Sequence, residues 1–348
     1  MLLMTRFRVV LRPWLLLEAI KEARSLEHIP SPARLEFPRT SKLGLTRNPS
    51  TNLLFPTERW YWWADVPAQF HPEIYALPVR TTQGEPSIKF RGIFLNDEAP
   101  ALTGWVLEKF GKYNSAFYTQ VYELLLRLKA NFMWPAMWPG YPNPGAVFFI
   151  DDPENQRLAD EYGICISTSH HEPMQRASTE WFQEHADGTW NWLTHHDKII
   201  EFFRHGVLRA KGLESYFTLG MRGEYDKQMV TDDPGAVMRD VLREQRALFE
   251  EIHGREDAVP QVLALYKEVQ DLYEAGKFPV PEDVTLLFAD DNFGSLRRLP
   301  SGEEEKRSGG AGVSKWIPGK VDQDIERSQS CLRRTSPRSV TRQLAEVF

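Results

Sequence analysis

The chain has 348 residues, 42% of them hydrophobic and 12% aromatic, which is too apolar for a disordered polymer and enough to bury a large core. A formal net charge of -6 leaves no general basic surface, which excludes nucleic acid as an expected partner. The two cysteines, Cys165 and Cys331, exclude a disulfide framework or a cysteine zinc site, and no stretch reaches the roughly 20 apolar residues of a membrane span, so no membrane partner is expected.

Residues 1–58 mix arginine, proline and serine without sustained periodicity and are expected to be a poorly ordered leader or the remnant of an amino-terminal domain. The apolar residues Val9 to Leu11 and Leu15 to Leu17 are interrupted by Arg12 and Pro13, and no small-residue cleavage site follows, so the segment does not read as a signal peptide. From about residue 59 to 312, short apolar runs alternate with amphipathic stretches, the pattern of an α/β domain with a parallel sheet. Six strands are predicted: 92–96, 130–134, 163–169, 216–221, 261–266 and 284–290. Phe117, Val121, Leu124, Leu125 and Leu128 fall at helical spacing between the first two, and Val237, Met238, Val241, Leu242, Leu248 and Ile252 do so before the fifth. Residues 313–348 are rich in Ser, Arg, Gln and Pro and are expected to be an aberrant tail that does not pack. Six βα units cannot close an eight-stranded barrel, so the fold class is either an open sheet or an incomplete (β/α)8 barrel with two units missing.

Polar and aromatic residues follow every predicted strand. They are Asn96-Asp97-Glu98, Trp134-Pro135-Ala136-Met137-Trp138, His170-His171-Glu172-Pro173, Arg222-Gly223-Glu224-Tyr225-Asp226, Lys267-Glu268 and Asp290-Asp291-Asn292. In a (β/α)8 barrel these ends share one mouth, where the active site lies. Several carboxylates beside tryptophans suit glycoside hydrolysis, in which one carboxyl protonates the leaving oxygen and another activates water or attacks the sugar. Taken singly, each acid reads equally well as a cap of the following helix.

His170 and His171 could ligate a metal, but adjacent residues of an extended strand point to opposite faces and no helical H-E-x-x-H spacing is present. No metal and no cofactor is therefore expected. His195-His196-Asp197 reads as a solvated helix start. A phosphate-cradling loop and a nucleophile elbow are both missing from the sequence, which removes support for nucleotide and acyl-transfer chemistry.

The stretches Trp60-Tyr61-Trp62-Trp63-Ala64-Asp65-Val66, Arg91 to Trp105 and Leu126 to Asn131 resemble glycoside hydrolase family 115. So do Trp134 to Trp138, Ser169 to Met174, Gly220 to Gly223, Tyr266 to Val269 and Asp290 to Asn292. The resemblance runs from about residue 59 to 312 and stops beyond Arg307 to Gly312, as if two barrel units were lost from a truncated member. It implies a xylan α-1,2-glucuronidase that removes glucuronic acid or its 4-O-methyl ether from glucuronoxylan with inversion, on a (β/α)8 barrel and in an extracellular setting. It places the catalytic carboxylates on Asp97, Glu224 and Glu268, although Glu224 stands where many bacterial members have aspartate. Trp138 and Asn292 fall on its sugar-contacting positions, and His171, Glu172 and Asp291 are expected to bind the substrate beside them. Asp97 is expected as general acid and Glu224 or Glu268 as base, separated by roughly 6.5–9.5 Å to admit water. Arg222 is expected to meet the substrate carboxylate, with a salt bridge to a neighbouring carboxylate as its alternative role. Two other readings stand beside this one: a non-catalytic carbohydrate-binding or degenerate fragment, and a metal-dependent hydrolase using His170 and His171.

Overall fold

The computed structural model describes residue 86 and residues 88–95, 101–137, 147–185, 189–290 and 295–314. Seven short strands run in chain order: β1 Gly92–Phe94, β2 Phe132–Trp134, β3 Cys165–Ile166, β4 Phe217–Leu219, β5 Gln261–Leu265, β6 Thr285–Ala289 and β7 Ala311–Ser314. Strands β1-β2-β3 form one parallel sheet and β4-β5-β6-β7 another. Between them, Tyr216 N donates to Ile166 O at 2.8 Å and Ile166 N to Glu214 O at 3.3 Å, an isolated parallel bridge that carries the ladder from β3 to the start of β4. Neighbours in space are therefore neighbours in sequence throughout, without the reversal that marks a doubly wound sheet.

The helices are α1 Ala101–Phe110, α2 Ser115–Arg127, α3 Phe148–Asp151, α4 Glu154–Tyr162, α5 Ser178–Glu184, α6 Trp192–Arg209, α7 Pro234–His253 and α8 Glu268–Glu274. Their start signals are local. The Asn114 side chain accepts from Phe117 N ahead of α2, and Asp233 accepts from Ala236 N ahead of Pro234 in α7. The apolar stripe of α7 buries Val237, Met238, Val241, Leu242, Leu248 and Phe249 against the four-stranded sheet, in a core that also holds Leu219, Leu263, Leu265 and Phe288. A second core, rich in aromatic rings, packs Phe117, Tyr118, Tyr122 and Phe148 beside Met133 and Ile166.

The predicted parallel α/β class and all six predicted strands are present, each shorter than expected. The third shrinks from seven residues to two: Gly163, at φ +70°, caps the preceding helix, and beyond Ile166 only Ser167 N still donates to β2, at Met133 O, before the chain enters the turn at His170 and His171. The seventh strand, β7, was not foreseen, since Ser308-Gly309-Gly310-Ala311-Gly312 reads as a turn. The glycines are what let it approach: a Cβ on Gly309 would meet the Asp283 and Val284 backbone at 2.5 Å. Val313 and Ser314, the first residues of the tail expected not to pack, belong to β7 and pair with Phe288 and Ala289, while residues 1–58 and 315–348 lie outside the described residues.

Candidate active site

All seven strands run parallel, so their carboxyl ends lie on one side, and the loops after β3, β4 and β5 meet there. Arg222 stands at the centre. Gly220, at φ +91°, turns the chain out of β4, and Gln245 of α7 pins it by accepting from Gly220 N at 2.8 Å and donating to Gly220 O at 2.9 Å. Two residues on, Arg222 is 2% exposed and its carbonyl accepts from Trp190 Nε1 at 2.9 Å.

Four of the five guanidinium N–H donors are engaged. Nε and Nη2 donate to the two oxygens of Glu268 at 3.0 and 2.7 Å, a bidentate pair, while Nη1 donates to the Asp226 carbonyl at 2.7 Å and to its Oδ1. Of the two roles expected for Arg222, the salt bridge is the one present, and the guanidinium has no bidentate edge left for a second carboxylate. Glu268 opens α8 directly after Lys267, whose φ of +50° bends the chain sharply at the end of β5.

Asp226 reaches the cluster because the turn Glu224–Asp226 doubles back. Gly223 N donates to Lys227 O at 2.9 Å, and a Cβ on Gly223 would meet Gln228 O at 2.3 Å, so the closing strands of this turn leave room for glycine alone. Tyr225 and Asp226 both take positive φ, 49° and 63°. Such non-glycine conformations cost about 1–3 kcal/mol each and persist where the surroundings impose them. Asp226, 20% exposed, also accepts from His170 Nε2 at 2.9 Å, and Lys267 Nζ lies 3.4 Å from its Oδ2. Glu224, the carboxylate expected here, is half-buried and has no described residue paired with its carboxylate. The acid that enters the cluster is Asp226, two residues further on, which the sequence reading passed over.

Burial and the cations Arg222 and Lys267 hold His170 down to about 3 against the opposing pull of Glu268, and they hold His171 well below the ordinary imidazole value too. Both rings are neutral near pH 7. The His170 ring leans on Tyr266 at 4.4 Å, and the Lys267 ammonium lies 4.7 Å from the same ring. His171 Nδ1 lies 3.2 Å from Ser169 Oγ. Glu172 is 1% exposed, and its carboxylate accepts from the Ser178 amide and, at 2.7 Å, from the Ser178 hydroxyl. It anchors the start of α5, and its Oε1 lies 3.5 Å from His171 Nε2, next to the cluster.

The two histidines lie in a turn, so the expectation of opposed strand faces fails for them. Ligand atoms of His170, His171 and Asp226 lie within 4.8 Å of one another, close enough for one cation. The charges do not fit a metal: Asp226 Oδ1 already takes both Arg222 and His170, and Lys267 stands over Oδ2. Asp97, Trp138, Asp291 and Asn292 lie outside the described residues.

The glycosyl hydrolase family 115 model matches residues 83–345. The chain belongs to that family. The match begins later than the resemblance read from the sequence and runs on past Gly312, where that resemblance ended. Among solved structures, the chain is similar to a family GH115 4-O-methyl-α-glucuronidase with specificity for decorated arabinogalactans, at 33% identity and a TM-score of 0.61 over 74% of this chain. The similar region is 34% of that protein, so the chain spans about a third of its relative. A comparison with curated protein sequences finds no match.

Proposed function

We propose that this chain carries the catalytic face of a family 115 glycoside hydrolase that removes glucuronic acid or 4-O-methylglucuronic acid side chains from glucuronoxylan, with inversion and in an extracellular setting. The observation that carries the reading is the pair of carboxylates, Glu268 and Asp226, gripped from two sides by one buried guanidinium at the carboxyl ends of parallel strands. Seven parallel strands in unbroken sequence order support a partial (β/α)8 barrel, in which this end is the catalytic one.

Inversion needs a protonated carboxyl at the glycosidic oxygen and a second carboxylate that activates water on the opposite face. Glu268 or Asp226 supplies the base, each oriented by Arg222. Asp97, after β1, supplies the acid by resemblance. With Arg222 committed, Lys267 takes over as the cation for the substrate carboxylate. It is 44% exposed and lies 3.4 Å from Asp226 Oδ2, so its outward N–H groups face solvent beside that acid and are open to a substrate carboxylate.

The test is incubation of the chain with glucuronoxylan and, separately, with uronic-acid-decorated arabinogalactan, followed by NMR of the sugar released. Free uronic acid appearing first as the β-anomer is the expected result. First appearance of the α-anomer would refute inversion, and polymer bound without any release would make this a glycan-binding protein.

A further inference from the structure

The turn that sends Asp226 inward sends Tyr225 outward, and Tyr225 has no part in the chemistry described so far. It is 52% exposed, large and apolar, and separated by one residue step from the most heavily engaged carboxylate of the cluster. Its backbone is left-handed, φ 49° and ψ 48°, in a turn that Gly223 closes tightly. One face of its ring is backed by Phe182 of α5, at 4.9 Å between centroids and 23° between planes. Phe182 in turn packs against the main core, and its neighbour Trp181 is fully buried. The ring is therefore held rigidly, one face occupied and the other free to meet a ligand.

We infer that Tyr225, braced by Phe182, is a stacking platform for a pyranose ring of the polysaccharide, next to the uronic acid that the charged cluster takes. A pyranose presents a face of polarised C–H groups, which fits the electron-rich face of an aromatic ring. A preset ring loses little freedom on binding, so the contact adds affinity with little ordering cost. The inference rests on the proposed function for the chemical class of its ligand, and it makes this residue a determinant of preference for the polymer over the free sugar.

The experiment compares the full chain with its Tyr225→Phe, Tyr225→Ala and Tyr225→Gly variants, by affinity electrophoresis in glucuronoxylan and by calorimetry with free glucuronic acid. Thermal melts check that each variant folds, and the glycine variant removes the ring while relieving the backbone. The expected result is unchanged retardation for Tyr225→Phe, a loss of about tenfold in polymer affinity for both Tyr225→Ala and Tyr225→Gly, and free glucuronic acid affinity retained in all. Polymer affinity that survives loss of the ring overturns the platform and leaves the proposed function standing. Wild-type chain that binds the polymer no better than the free sugar does the same. Failure to bind either ligand overturns both together.

Discussion

Two arginines stand at opposite ends of the same strands, each between two carboxylates. Arg222 follows β4 at the carboxyl ends. Arg246, on α7, serves the amino ends: it donates to Glu256 at 3.0 Å, to Asp283 at 2.8 Å just before β6, and to Gln261, the first residue of β5, at 2.9 Å. Both are nearly buried, with side chains 2% and 10% exposed. Around Arg246, the ordinary helical backbone of α7 and two half-exposed or exposed acids suffice. Around Arg222, three loop residues at positive φ, Tyr225, Asp226 and Lys267, two neutral histidines and a tyrosine ring are assembled as well. An ion pair is therefore no signature of a site. What separates the two ends is strained backbone and desolvated imidazole gathered where strand ends converge.

The sharpest way to break that comparison is to neutralise one acid of the upper cluster. Glu268→Gln and Asp226→Asn keep shape and hydrogen-bonding reach while removing the charge. Each is expected to lower uronic acid release by about 100- to 10,000-fold, the range for a positioned acid or base. Release from glucuronoxylan by both variants at the wild-type rate would move the chemistry elsewhere. At the lower end, Arg246→Ala is expected to leave turnover intact and to cost about 2 kcal/mol in urea denaturation. That is less than for a fully buried pair, because Glu256 and Asp283 remain solvated.

How much of this was legible in the sequence follows from which properties are local. Apolar runs at strand length located six strands, and residues just past them, Arg222 and Glu268 among them, were correctly suspected of meeting at one end. The orientation of individual side chains was not legible. No local rule makes Tyr225 and Asp226 take left-handed φ, so Glu224 drew attention that belonged to Asp226. The His170-His171 pair was read as extended, although the β3 ladder ends at Ile166 and a turn brings both rings to one side. Strand β7 escaped notice because its glycines serve close approach to β6, a tertiary demand that looks like turn composition in one dimension.

A third prediction uses pH to separate the ends. His170 is held at about 3 in the folded chain, below the ordinary value of 6.5. Above pH 6.5 the ring is neutral in both folded and unfolded chains and contributes no pH dependence. Between 6.5 and about 3 the unfolded chain binds the extra proton, so stability falls as pH falls. The slope contributed is up to about 1.4 kcal/mol per pH unit. His171 acts in the same direction. Urea midpoints measured from pH 7 to 4 should therefore drop less steeply in His170→Gln than in the wild type. Parallel curves would mean that the cluster is hydrated and open.

The smallest effect is expected at a surface clamp that belongs to neither end. Arg298 donates to both oxygens of Glu304, at 2.7 and 2.8 Å, and to Glu274 of α8 at 2.7 Å, while Tyr273 donates to Glu304 at 3.1 Å. The clamp ties the segment between β6 and β7 to the helix that begins with Glu268. The Arg298 hydrogen bonds hold the Glu304 carboxyl down to about 2, below its ordinary value of 4.5. A depressed carboxyl contributes stability that is complete above pH 4.5 and is lost as pH falls toward 2, a window lower than that of His170. Glu304→Gln should cost about 1 kcal/mol at pH 7, a cost that shrinks as pH falls toward 2, with uronic acid release unchanged. Reduced release at full stability would show that the clamp also sets the position of Glu268 through α8, and would extend the functional end of the molecule outward to Arg298.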